Sequence, residues 1–563
     1  MSAKSFEIGL VGAGAISAGA YTGGVIDFMV HALDTWYEAK RSNSAPPHEV
    51  KISVFAGASA GGMTAAIASA YLGSNQPSIA NENDAALKRG QNKLFDSWVE
   101  RIDITHLLGT RDLADRHAPV ISLLDSSILG EIADAGLSVA ATGRRPYVAD
   151  NFELLLTITN LRGVPYSISL TGQTQQNYMM SMHADYVRFS IGSRSQGLPD
   201  RYEMSWTDFG AASAQKEKLK QAALATGAFP VGLAPQMLSL NIPGNGQPDW
   251  YSARTWPILT PFSAGPHHCV IEKAIPVSWD PSMPSQYAYN FMCVDGGVMN
   301  NEPFELAHRV VTVSNGPSER EGDLAMKAIL LIDPFPSEPT TALEYEPPPD
   351  LLQQVLALFN ALKNQARFKP EELILAADEN IYSRFMIAPN RGDSPFPIAC
   401  GSLGGFGGFL KREFRSHDYF LGRRNAQKFF RDHFVLPENN PLFSDWSEAM
   451  KRAHCVKVNE SDTAVLENGL RFLPILPLVG AAQTPCHKPD WPVYAASDLA
   501  RLEKQIAHRV DKVLDRLVEQ YFKTKNVFMR FGAKWFIGSK KKDLVEFLRK
   551  MVAADLKKMQ LLR

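Results

Sequence analysis

Apolar and polar positions fall into two kinds of run over the first seventy residues. Residues 6–11 form a short, mostly apolar stretch broken by Gly12 and Gly14, the pattern of a strand buried on both faces. From about 19 to 40, Tyr21, Val25, Phe28, Met29, Ala32 and Trp36 recur at three- and four-residue steps, which predicts a one-sided amphipathic helix. A second apolar run at 51–56 enters Gly57, and the Ala-rich stretch 59–72 predicts the helix leaving that turn. Two strand-turn-helix units in succession predict an α/β fold with a doubly wound, mainly parallel sheet.

Further along, 73–150 is polar and mixed, with helices expected near 85–103 and 126–136, and reads as an insertion. Strands are expected at 152–159, 166–170 and 186–191, a helix at 218–228, a Pro-rich inserted loop at 241–286, and strands at 287–294 and 328–333. Residues 337–350 carry four prolines and three glutamates, a composition suited to an extended linker or rim loop. That stretch divides a domain at 1–336 from a largely helical region at 351–563, with helices expected at 351–366, 370–385, 420–433, 497–523 and 541–562. A Gly-rich segment spans 401–408, and its end with the next residues, 406–410, reads as a tight packed turn or as a lid or lipid-facing hairpin with glycine hinges.

Composition narrows the class more than the function. The 563 residues, 45% hydrophobic and 21% charged, describe a globular chain long enough for a large core. With 58 basic and 59 acidic residues the formal charge is -1, which argues against a nucleic-acid partner held by global attraction. The uncharged stretch 8–25 holds too many glycines for a signal or membrane helix. Five widely spaced cysteines predict free thiols in a reducing cytoplasm, and no close cysteine pair marks a metal site.

Candidate chemistry begins at Gly57-Ala58-Ser59-Ala60-Gly61, a Gly-x-Ser-x-Gly placed between a predicted strand and helix. In such an elbow the serine sits on a sharp turn, and the flanking glycines let backbones pack closely enough to expose its hydroxyl. Taken alone, the motif also permits Ser59 to act only as a helix cap. A nucleophilic serine needs a base, and of the thirteen histidines none sits in a setting that identifies it, His417 in Arg415-Ser416-His417-Asp418 being the one named candidate. Gly12-x-Gly14 before a helix has the outline of a dinucleotide-binding turn, but the third glycine of that fingerprint is Ser17 here.

Three segments together resemble the patatin-like phospholipase family. They are the elbow at Ser59, the run Val294-Asp295-Gly296-Gly297-Val298 followed by Asn300-Asn301-Glu302-Pro303, and Ala225-Thr226-Gly227-Ala228-Phe229-Pro230 between them. The resemblance covers about 5–335 and implies a three-layer α/β/α fold with long insertions. It implies a lipid acyl hydrolase without cofactor or metal, in which Ser59 is the nucleophile and Asp295 the base, supported by Gly57, Gly61, Gly296 and Gly297. The oxyanion hole falls on Gly14, Ala15 and Ile16 if Gly19-Ala20-Tyr21 sets the register, or on Gly12, Ala13 and Gly14 if the strand end does; the first alignment is preferred. The loop lacks the family's usual basic residue. A histidine-dependent esterase, a lipid acyltransferase and an inactive lipid-binding module are the alternatives.

Two later features bear on partners. Between 521 and 563 twelve Lys/Arg stand against three acidic residues, and Leu544, Leu548, Met551, Val552 and Met559 can share a helical face. This segment reads as a peripheral membrane contact or as a helix docked on the core. Arg415, His417, Asp418, Arg423 and Arg424 read as a salt-bridged helix start or as contacts to a phosphate head group.

Overall fold

Phe6, Ile8 and Leu10 alternate with Gly9 and Val11 along β1 (Ser5–Gly12), and all are buried because the strand lies inside a sheet with helices on both faces. This computed structural model describes residues 4–336, 354, 361 and 383–563, less breaks at 43–44, 116, 141–142, 170–176, 193–196, 244–248, 253–254, 261–268, 275–276, 281, 285, 316–320, 393, 458–462, 466–467 and 523–526. The expected linker 337–350, all of the helix 351–366 except 354 and 361, and most of 370–385 lie outside the described residues.

Four strands run parallel to their neighbours around β1. It pairs with β2 (Glu49–Gly57) on one side and with β10 (Lys327–Ile332) on the other, and β11 (Arg384–Ile387) pairs with β10. Residues 384–385, expected at a helix end, therefore extend the sheet. On the far side β3 (Val148–Ser169) joins β2 in parallel and then pairs antiparallel with β4 (Asn177–Gly192). The two strands expected at 152–159 and 166–170 are this single strand, because the intervening Asn160-Leu161-Arg162-Gly163 forms a bulge with Gly163 at φ +80 and does not turn back. β5 (Tyr202–Met204) follows β4 at that edge.

The expected loop 241–286 also holds regular structure. β6 (Gln236–Pro243) pairs with β9 (Gln286–Asp295), and β7 (Thr255–Thr260) with β8 (Cys269–Ala274) form a separate hairpin. Its prolines are tolerated because Pro243 ends a strand and Pro257 lies in a two-stranded hairpin, where an edge N–H needs no partner.

Helices α1 (Gly19–Arg41), α2 (Ser59–Leu72), α3 (Ser127–Leu137) and α4 (Ala214–Thr226) cover one face. On the other, α5 (Phe304–Asn315) packs Phe304, Ala307 and Val311 against Val54, Ile329 and Leu331. α1 departs from the one-sided helix its pattern predicts: Gly19 to Val30 is buried all round. The cause is α6 (Arg412–Asp432), which crosses its outer face so closely that a Cβ on Gly24 would stand 1.9 Å from the Tyr419 carbonyl oxygen. Beyond it, α7 (Ala496–Phe522) packs along α8 (Val527–Lys558). Val552 of α8 and Met559 just beyond its end are buried in the main core, while Leu544 and Met551 are exposed, so the apolar face read from the sequence is divided between core and solvent.

Candidate active site

Strand β3 acts as a ruler for the site. Leu156 stands opposite Gly57 of β2, and two residues on Ile158 stands opposite Asp295 of β9. The elbow leaving β2 and the carboxylate ending β9 are thereby brought together although 236 positions separate them. Ser59 takes φ +52, the left-handed conformation that a nucleophile elbow imposes on a residue with a side chain. The turn closes because Gly61 has no Cβ, which would lie 2.2 Å from the Gly12 carbonyl oxygen.

Ser59 Oγ donates a 2.6 Å hydrogen bond to Asp295 Oδ2. The other carboxylate oxygen, Oδ1, accepts the Gly297 N–H at 2.7 Å, and the Asp295 carbonyl accepts from Thr159 Oγ1 at 2.8 Å, so Asp295 is held at both side chain and main chain. Both side chains are largely enclosed, Ser59 at 7% and Asp295 at 4% exposure. The Ser59 N–H donates to Thr226 Oγ1 at 3.0 Å, and Thr226, last residue of α4, is fully buried. Its role was not drawn out from the sequence, although it lies inside one of the three segments that carried the resemblance. Two residues before Asp295, burial pushes the Cys293 thiol well up, which keeps it neutral.

The expected oxyanion residues separate. Gly14 gives its N–H to the Asn301 carbonyl at 3.1 Å and so is not a free donor, a correction to the preferred alignment. The reason is the Asn-Pro turn after Asp295, which folds back under the loop and takes that hydrogen bond. The alternative alignment fares no better: the Ala13 N–H goes to Ile332, on the β10 side. Among the described residues neither the Ala15 nor the Ile16 N–H has an acceptor, and Ile16, at φ +49, lines the cavity with Ser59 and Asp295. A β-branched residue in that conformation is strained by roughly 1–3 kcal/mol.

That cavity encloses about 30 Å³, room for a water and not for an acyl chain. Its remaining walls are apolar, with Met63, Trp98, Leu129, Phe229, Phe406 and Phe409 among them, and among the described residues no histidine lines it. Phe406 meets Phe229 edge-on at 5.4 Å between ring centroids. At the end of the Gly-rich stretch Gly407–Leu410 form a short buried helix, preceded by Leu403, Gly404 and Gly405 at positive φ. Ser17, next to Ile16, fastens it by donating to the Gly405 carbonyl and accepting the Gly408 N–H at 2.9 Å.

His417 is elsewhere. Its Nδ1 bonds Asp418 Oδ1 at 2.7 Å and its ring packs against Trp491, while Asp418 also accepts the N–H groups of Ala399 and Cys400. Arg415 is buried and donates to the Val99 and Gly408 carbonyls, and Arg423 is paired inside the core with Asp27. These four residues hold α6 in place.

Residues 10–308 match the family model described as patatin-like phospholipase. The chain belongs to that family. A relative, the uncharacterized protein y4iI of Sinorhizobium fredii (strain NBRC 101917 / NGR234), is 33% identical over an alignment covering 99% of this chain and 82% of its own length. Membership of the patatin-like phospholipases supports lipid acyl hydrolysis as the general activity and lipid as the substrate class. Among the described residues no helix is long and apolar enough to cross a membrane.

Proposed function

We propose that this patatin-like protein cleaves fatty-acyl ester bonds of lipids, in the manner of a phospholipase A or lysophospholipase, through a Ser59–Asp295 dyad and an acyl-enzyme. The observation that carries the reading is the 2.6 Å bond from Ser59 Oγ to Asp295 Oδ2 in a cavity lined, among the described residues, by no histidine. As Ser59 Oγ attacks the ester carbonyl carbon, Asp295 accepts its proton. The carbonyl oxygen becomes an oxyanion facing the free N–H groups of Ala15 and Ile16. The tetrahedral species collapses with loss of the alcohol, which takes the proton from Asp295 and leaves an acyl group on Ser59. Asp295 then draws a proton from water, the hydroxide attacks the acyl carbonyl, and the fatty acid departs as Ser59 recovers its proton. Gly57, Gly61, Gly296 and Gly297 serve by letting the elbow and the Asp295 turn close.

Peripheral contact with a lipid surface through 521–563 belongs to the same reading, supported by exposed Leu544, Phe547 and Met551 beside Lys542 and Lys550. The test of the chemistry is fatty-acid release from a lipid panel by wild type, Ser59→Ala and Asp295→Asn, with a fluorophosphonate label to mark Ser59. Ser59→Ala should fall to background and Asp295→Asn by on the order of 10²–10⁴-fold. Full activity in either variant would overturn the dyad.

A further inference from the structure

Against the C-terminal half of α6, a cleft of about 360 Å³ is lined by five cationic side chains, Arg391, Arg424, Lys428, Arg431 and Lys488, and, among the described residues, by no carboxylate. Three chain segments supply them: the loop at 390–392, one face of α6, and the loop at 485–489. Arg424, Lys428 and Arg431 follow at i, i+4 and i+7, so like charges stack along a single helical face, an arrangement that costs a helix stability unless an anion answers it. Arg424, Lys428 and Lys488 have no ion-pair partner among the described residues. Arg431 is paired with Asp432, and Arg391, also among the lining residues, lies 4.0 Å over the Trp491 ring and donates from Nη1 to the Phe396 carbonyl at 3.0 Å.

The walls are fixed before any ligand arrives. Buried Asn425 accepts the Asn390 N–H at 2.9 Å and donates to the Asn390 carbonyl at 2.8 Å, which ties the first loop to α6. Two residues on, buried Gln427 donates to the Ala482 and Thr484 carbonyls and accepts the Cys486 N–H at 2.9 Å, which ties the second. Two amide clamps from one helix thus hold cationic groups apart at the spacing of a cleft.

We infer that this cleft is a binding site for a phosphorylated anion carrying more than one phosphate charge, a site separate from the dyad. Guanidinium forks match phosphate oxygens in pairs, ammonium groups add charge, and the volume lies in the range of small-molecule pockets, larger than one phosphate needs. The ligand is a free phosphorylated molecule or the head group of an anionic lipid.

Calorimetric titration of the full chain with tripolyphosphate addresses the first source, and flotation with phosphatidylcholine vesicles with and without phosphatidic acid the second. Wild type should bind one probe with an affinity that falls steeply as salt is added, and Arg424→Glu/Lys428→Glu should weaken it at least tenfold with an unchanged melting temperature. Binding of tripolyphosphate assigns the free ligand; binding only of phosphatidic-acid vesicles, lost in the double variant, assigns the head group. Neither probe binding to wild type, or the folded double variant binding as tightly, overturns the site. Ser59→Ala should bind as wild type does, so the result stands apart from the fate of the hydrolase reading.

Discussion

Thr226 is where a single hydroxyl controls the candidate nucleophile. It accepts the N–H of a residue held at positive φ, and its removal leaves that buried donor unpaired at a cost of about 1–3 kcal/mol. Thr226→Val should therefore lower both melting temperature and kcat on a soluble ester, whereas Thr226→Ser should restore both; equal kcat in the two variants would deny it a positioning role. Gly14 offers a second check. An added Cβ would stand 2.2 Å from Asn301 Oδ1 and 3.1 Å from Ser59 Cβ, so Gly14→Ala should cut kcat at least tenfold in a protein that remains folded by circular dichroism. Ser59 and Asp295 were legible because an elbow and an Asp-Gly-Gly turn are local patterns whose order along the chain carries meaning. The free donors of the loop were not, since the partner that removes the Gly14 N–H lies at Asn301, and no local pattern announces a hydrogen bond of that span.

The crossing of α1 and α6 depends on one buried ion pair. Asp27 of α1 accepts from Arg423 of α6, and also from Tyr71 Oη at 2.8 Å and Asn92 Nδ2 at 2.7 Å. Asp27→Ala strands Arg423 without a counter-charge and should cost about 3–5 kcal/mol in urea unfolding. Loss of under 1 kcal/mol would show the pair to be dispensable. α1 illustrates what periodicity reads and what it misses. Its large residues at three- and four-residue steps marked the helix to within a residue or two, but glycines and Asp27 on the opposite side looked like a solvent face. They are instead the contact for a second helix, which a pattern confined to one segment cannot show. β3 is the converse, since the bulge Asn160-Leu161-Arg162-Gly163 looks like a turn until its neighbours are known.

Across the whole molecule, the first and last parts of the chain share one core, and His48 is a joint between them. Its Nε2 bonds the Ile475 carbonyl at 2.9 Å and its Nδ1 accepts the Trp446 Nε1–H at 3.2 Å, which fixes it as neutral. Burial pushes its pKa down to about 3, against roughly 6.5 in an unfolded chain. The unfolded state thus takes up a proton that the folded state refuses. The associated stability is complete above about pH 6.5 and declines by roughly 1.4 kcal/mol per pH unit as pH falls toward 3. His48→Gln should show a shallower loss than wild type between about pH 7 and pH 5 in urea titrations, and identical slopes would remove His48 from the account. Removal of 337–563 should yield an insoluble product, because it uncovers the face of α1 that α6 buries and leaves β10 without β11.

The tie from Ser17 to Gly405 and Gly408 has a further consequence in the order of synthesis. A chain emerging from the ribosome holds Ser59 and Asp295 long before Phe406 and Phe409 exist, so the would-be catalytic pair is complete while its chamber still lacks a wall. Closure of that chamber waits on the last third of translation, and a prematurely terminated product carries the reactive groups without their enclosure.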